Sequence, residues 1–246
     1  MTSETWLILG ASSSIARAFA DEVARHGCDV ILAGRDLEDL GRTASDIRLR
    51  TGRRAEVIAF DATAIDEHAP FVDRCLELAP RLNVLLLFGL MPSQAALEAD
   101  SALLRRTIDV NYLGAASILH CLAPVLEAQK AGRVVVLSSV AGDRGRLSNY
   151  AYGSAKAGLN AFLQGYRARL YRAGVKVTTV KAGFMDTAMT FGLPGMFLVA
   201  QPSSAATAIF HAAAKGREVI YFPWFWRWIM LIIKLIPERV FKRLSI

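Results

Sequence analysis

The chain has 246 residues, of which 53% are hydrophobic and 21% charged, with a formal net charge of +7. That is the length of one large α/β domain, and the composition excludes both a disordered chain and a low-complexity one. Three cysteines, Cys28, Cys75 and Cys121, stand far apart with no CxxC pair, which argues against a disulfide framework and a zinc site and fits a reducing compartment. From residue 5 onward, short β-rich runs alternate with stretches of helical spacing. The expected strands are 5–10, 28–33, 55–60, 83–88, 133–138, 175–181 and 218–222. The opening run TWLILG is too short for a secretory signal core and lacks a positive start. Near-continuous apolar runs such as NVLLLF at 83–88 imply strands buried on both faces, hence a parallel sheet covered by helices. Right-handed crossovers make this a doubly wound, seven-stranded, Rossmann-like sheet with helices on both faces. Residues 1–222 form one domain, and 223–246 follow it as an amphipathic tail.

In such a sheet the first strand-to-helix turn faces the ligand crevice. Here it reads GASSSIAR over 10–17. Gly10 permits a tight bend, and Ser12, Ser13 and Ser14, leading into Ile15, either cap the helix or bind a phosphate at its positive end. Only the first of the three expected glycines is present; Ser14 and Ala16 hold the other two places. The second strand ends ILAGRD. An acid at that tip grips a ribose 2′-hydroxyl, whereas an arginine suits a 2′-phosphate, so Arg35 favours NADPH over NADH. A solvated strand end is the other account of Arg35. Asp61, followed by Ala62, stands where an adenine would lie or where a helix is capped.

After the fifth strand come SSVAG (138–142) and NYAYGSAK (149–156). Tyr152 and Lys156 are four residues apart and share a helix face. A nearby ammonium lowers the phenol pKa and makes a general acid for a carbonyl oxygen. Ser139 at the strand tip hydrogen-bonds the same oxygen. Tyr150 points elsewhere and reads as packing.

These residues resemble the short-chain dehydrogenase/reductase family over about residues 5–222: a glycine-rich first turn, then Asn111 in DVNY, Ser139, Tyr152 and Lys156. The resemblance implies an NAD(P)H-dependent reductase. In it, Asn111 holds a relay water, Lys156 also binds the nicotinamide ribose, and Met185 and Thr187 in GFMDT contact the nicotinamide. Two departures fall on the cofactor wall. Leu87, Phe88 and Gly89 replace the family's Asn-Ala-Gly, and Ala182 and Gly183 replace its Pro-Gly. The stretches FDA (60–62), AGDR (141–144), YGSAKAGL (152–159) and IPERVFKRL (236–244) are similar to decaprenylphosphoryl-2-keto-ribose reductases, which reduce a lipid-linked 2-keto sugar. That branch uses NADH, from which Arg35 departs. A polyprenyl-phosphoryl sugar carries a phosphate near its reacting carbon, so Arg144 and Arg146, one of them oriented by Asp143, are the expected phosphate ligands; solvated loop charges are the other account.

The tail stretch PWFWRWIMLIIKLI (223–236) is too short and too charged to span a bilayer. Residues 224–246 hold five cations against Glu238 alone, which suggests a membrane surface more than nucleic acid. The alternative is a tail packed on a second copy or a partner oxidase. The resulting expectation is a cytoplasmic reductase attached peripherally to the inner face of the membrane. Reduction of another apolar ketone, such as a ketoacyl lipid or steroid, and a nucleotide-sensing scaffold without turnover are the rival readings.

Overall fold

The computed structural model describes residues 4–186 and 199–244. Seven parallel strands lie in the order β3-β2-β1-β4-β5-β6-β7. They are β1 (Thr5–Leu9), β2 (Asp29–Gly34), β3 (Ala55–Ala59), β4 (Leu82–Leu86), β5 (Arg133–Ser139), β6 (Lys176–Ala182) and β7 (Val219–Phe222). Each lies within a residue or two of its expected place, because an apolar run bounded by turn residues is what a strand covered on both faces requires.

The pleat sends alternate side chains to opposite layers. Leu7 and Leu9 of β1 join one core, whose helices are α3 (His68–Leu78), α6 (Ala115–Gln129) and α7 (Tyr150–Tyr171). Trp6 and Ile8 join the other, formed with α1 (Ser14–Arg25), α2 (Leu37–Thr51) and α8 (Pro202–Ala214). The helical run Ser101–Gln129 is long and apolar enough to cross a membrane. Its residues Ile118, Leu119, Leu122 and Leu126 are instead spent in the first core.

Chain order reverses between β1 and β4, which opens the crevice at their carboxyl ends. Two short helices, α4 (Gln94–Ala99) and α5 (Ser101–Ile108), follow β4. Between α5 and α6 the helix widens into a π-helical turn, Asp109–Gly114. Such a turn admits an extra residue and recurs at functional sites. The tail forms α9 (Trp226–Leu235) and α10 (Glu238–Phe241). Trp226 and Met230 of α9 are buried with Val140, so the tail's inner face belongs to the body of the molecule.

Candidate active site

The first turn fits a nucleotide. Gly10 has φ +86°, and a Cβ there would lie 2.8 Å from the Phe88 nitrogen, so a residue larger than glycine would push the turn off the β4 exit. Ser13 is the N-cap of α1, its Oγ accepting from the Ala16 N–H at 3.2 Å. The helix-capping reading therefore holds for Ser13. Ser12, Ser13, Ser14 and Ile15 nonetheless line the same cavity as Ser139 and Tyr152, a space of about 890 Å³. Its other wall includes Gly89, Leu90 and Met91. A backbone turn held close to the sheet, at a helix start and open to a cavity this large, is the cradle a dinucleotide pyrophosphate needs.

At the outer end, Arg35 is exposed and makes no salt bridge among the described residues. The neighbouring Asp36 caps α2, accepting from the Asp39 N–H at 3.0 Å. Asp61 accepts from the Thr63 N–H and hydroxyl, each at 2.8 Å. The Thr63 backbone bond holds the Asp61 carboxyl below its usual range, and the positive charges of Arg35 and Arg106 act in the same direction. Arg35 and Asp61 thus face one another's field. Ala62 rests against the π turn, where a Cβ on Gly114 would meet the Ala62 oxygen at 2.1 Å.

Asn111 is buried in that turn. Its Nδ2 donates to the oxygens of Leu90 at 2.6 Å and Thr107 at 2.9 Å, and its Oδ1 accepts from the Leu90 N–H at 3.2 Å. It therefore clamps the β4 exit segment that forms the cavity wall.

The chemistry-bearing groups meet at the end of β5. Ser138 Oγ donates to Asn160 Oδ1 at 2.7 Å and ties the strand to α7. Ser139 Oγ accepts from the Ala141 N–H at 3.1 Å, donates to the Ala182 oxygen at 3.4 Å, and lies near enough to the Tyr152 phenol to favour its ionised form. Tyr152 and Lys156 are both buried on α7, the Lys156 Nζ 5.8 Å from the Tyr152 ring centroid. Burial pushes the Tyr152 phenol up to about 12, with the Ser139 hydroxyl and the Arg146 charge opposing it. This corrects the expectation of a phenol lowered by its lysine. Burial also pulls Lys156 down to about 8, and its ammonium donates to the Leu137 oxygen at 3.4 Å. A low dielectric penalises the charged form of each group, and burial is the largest cause of both shifts. The result is a phenol that keeps its proton at neutral pH, which is what a general acid requires. Tyr150, expected to pack, is 46% exposed and donates to Glu98 Oε1 at 2.7 Å.

The two loop arginines part company. Arg144 Nη1 donates to the oxygens of Ile233 and Ile236, each at 2.6 Å, and to that of Lys234 at 3.3 Å. Its Nη2 pairs with Glu238 at 3.0 Å, and its guanidinium lies 3.7 Å over the Phe241 ring. Arg144 is a clasp on the tail, with both terminal nitrogens of its guanidinium already engaged there. Arg146 lines the cavity with Tyr152, and its buried Nε has no partner among the described residues. Asp143, expected to orient an arginine, instead pairs with Lys181 and accepts from the Tyr221 hydroxyl at 2.7 Å. Trp226 completes the wall. A Cβ on Gly183 would fall 1.9 Å from its Nε1, so the glycine in the place of the family's second Pro-Gly residue is what lets the tail lie so close. Met185 also lines the cavity, while Thr187 lies outside the described residues. Neither Trp226 nor the Asp143 cluster was marked by spacing, because both contacts join residues tens of positions apart.

Residues 4–194 match the family model described as short chain dehydrogenase. The chain belongs to that family. It is 33% identical to an uncharacterised oxidoreductase of Mycobacterium tuberculosis over 239 residues, covering 97% of this chain and 96% of the relative. A Streptomyces coelicolor oxidoreductase is 32% identical over 243 residues, 98% of this chain and 95% of that one. Among solved structures, a Sphingobium yanoikuyae short-chain dehydrogenase in complex with NADPH superposes with a TM-score of 0.83 at 24% identity, covering 93% and 92% of the two chains. An alcohol dehydrogenase from Thermococcus sibiricus, complexed with 5-hydroxy-NADP, does so with 0.80 at 21%, covering 89% and 96%. The short-chain dehydrogenase described here is accordingly an NAD(P)H-dependent oxidoreductase acting on a carbonyl group.

Proposed function

We propose that this enzyme uses NADPH to reduce the 2-keto group of a polyprenyl-phosphoryl pentose. The observation that carries the reading is Arg146, whose buried Nε has no hydrogen-bond partner among the described residues and which lines an apolar cavity beside Tyr152. A ketone alone has no use for that cation, whereas a phosphate one pentose ring from the reacting carbon does. The exposed Arg35, which makes no salt bridge among the described residues and follows no acid that could grip a ribose, supports the 2′-phosphate of NADPH, the neighbouring Asp36 being committed to its helix cap.

The first turn from Gly10 to Ile15, Arg35, Asp61, Ala62, Gly89 and Met185 would hold the dinucleotide, with Lys156 at its nicotinamide ribose. When bound, the nicotinamide supplies the hydride. Tyr152 donates its phenol proton to the carbonyl oxygen, and the Ser139 hydroxyl hydrogen-bonds the same oxygen as its charge develops. The Lys156 ammonium stabilises the phenolate left behind, and Asn111 keeps the wall at Leu90 in register. Leu87, Leu90, Met91, Phe184 and Trp226 exclude water from the transfer.

The apolar wall would equally suit an uncharged lipid or steroid ketone, so the test compares substrates. Turnover with a lipid-linked 2-keto-pentose should exceed that with a neutral ketone of similar size, and should be faster with NADPH than with NADH. Arg146→Ala should raise KM for the charged substrate by at least about tenfold and leave KM for the neutral ketone within about twofold. Equal losses on both substrates would refute the phosphate reading in favour of the apolar ketone.

A further inference from the structure

Helix α9 has two apolar faces, and the fold uses only one. Trp226 and Met230 are buried, with Ile229 and Ile233 packed beside them. On the other side Trp228 is 56% exposed, Ile232 66% and Leu235 73%, and Trp224, just before the helix, is 72% exposed. At 100° per residue, Trp228, Leu231, Ile232 and Leu235 fall within one sector opposite Trp226, and Arg227 and Lys234 share a flank between the two faces. Val240 and Leu244 are also exposed, and Arg239, Lys242 and Arg243 alternate with them along the chain.

The charges in this region are one-sided. Glu238, the tail's single carboxylate, is taken by Arg144 from the body of the enzyme. Among the described residues none of the five tail cations makes a salt bridge. The centre of a protein–protein contact is depleted of lysine, whereas tryptophans framed by unpaired cations are what the headgroup layer of an anionic bilayer accepts. At ten residues α9 is about 15 Å long, half the hydrocarbon thickness, so it lies on a membrane and does not cross it.

We propose that the outer face of α9, with the cations of α10 and the residues after it, docks the enzyme on an anionic lipid surface. The helix that walls the catalytic cavity through Trp226 then lies in the headgroup layer, and the cavity is held beside the phase in which lipid-linked substrates reside. The inference stands whichever ketone is reduced, since it rests on the exposed face and not on Arg146.

The test is cosedimentation of the full chain with vesicles of phosphatidylcholine alone, or with one-third phosphatidylglycerol. Binding is expected to the anionic vesicles, weaker to the neutral ones, and reduced by salt. Trp228→Ser with Ile232→Ser should cut partitioning by more than about tenfold while turnover of a water-soluble ketone stays unchanged, which also shows that the variant is folded. Lys242→Glu with Arg243→Glu should abolish the preference for anionic lipid. An enzyme that stays in the supernatant with anionic vesicles overturns the proposal, as does equal binding by the Trp228/Ile232 variant. A vesicle-free dimer that the same two substitutions dissociate, without vesicle binding by the parent, would assign the face to a second copy.

Discussion

Replacing Arg144 by alanine should loosen the tail without unfolding the sheet. The lost contacts are three charged hydrogen bonds to the carbonyls ending α9, one ion pair and a cation–π contact. Hydrogen bonds from charged groups contribute about 1.5–3 kcal/mol each, but these carbonyls are at a helix end and rehydrate when the tail opens, so the sum is not additive. Glu238 is 78% exposed and adds at most about 1 kcal/mol. A net loss of about 2–4 kcal/mol in tail docking follows, which corresponds to roughly 30- to 1,000-fold more frequent opening. Hydrogen exchange followed by mass spectrometry should show that increase in peptides covering 226–241, with β1 protection unchanged. KM should rise together for charged and neutral ketones, because the Trp226 wall is lost to both. Arg144→Lys should recover little, since one ammonium cannot reach three carbonyls and a carboxylate. Unchanged exchange in α9 would show that the clasp does not hold the tail, and a rise equally large in β1 would place the damage in the whole fold.

Tyr152→Phe should bind nicotinamide normally and lose on the order of 10²–10⁴ in turnover; retention of near-normal rates would remove Tyr152 as the proton donor. The pH profile should fall on its basic side near pH 8, where Lys156 loses its proton, and not near the much higher value of Tyr152. Stability should move oppositely. Between about 8 and 10.5 the unfolded chain holds the Lys156 proton that the folded chain has released, so this group's contribution rises with pH, a trend that Lys156→Met should erase in denaturant titrations. Arg35→Ala should weaken NADPH and spare NADH in fluorescence titrations; equal weakening would mean that Arg35 does not read the phosphate.

The sheet was legible because each strand is an apolar run closed by glycine or a polar turn, and a buried parallel sheet leaves little room for another pattern. The Tyr152–Lys156 pair was legible for a similar reason: one helical turn separates them, and spacing alone puts them together. What spacing could not carry was environment. The sign of the Tyr152 shift depends on how completely α7, the β5 loop and the tail exclude water, which no local run of residues states. The π turn that aims Asn111 at Leu90 has no residue signature in DVNYLG. Arg144 and Arg146, two positions apart in one loop, look alike in sequence, and only the return of residues 233–241 distinguishes the clasp from the open guanidinium.

The loop after Ser139 is anchored almost wholly by residues made later. Asp143 is held by Lys181 and Tyr221, 38 and 78 positions downstream, and Arg144 by carbonyls 89 to 92 positions away. Closing such long loops comes late in folding, after the local helices and the first strand pairs have formed. Synthesis runs in the same direction, so a nascent chain with its nucleotide half already folded still lacks the partners that fix its catalytic loop. The carboxylate of Asp143 stays unpaired until β6 and β7 join the sheet, and the cavity has no roof until Trp226 has left the ribosome. Activity in this enzyme is therefore a property of about the last twelfth of the polypeptide as much as of the tyrosine at its centre.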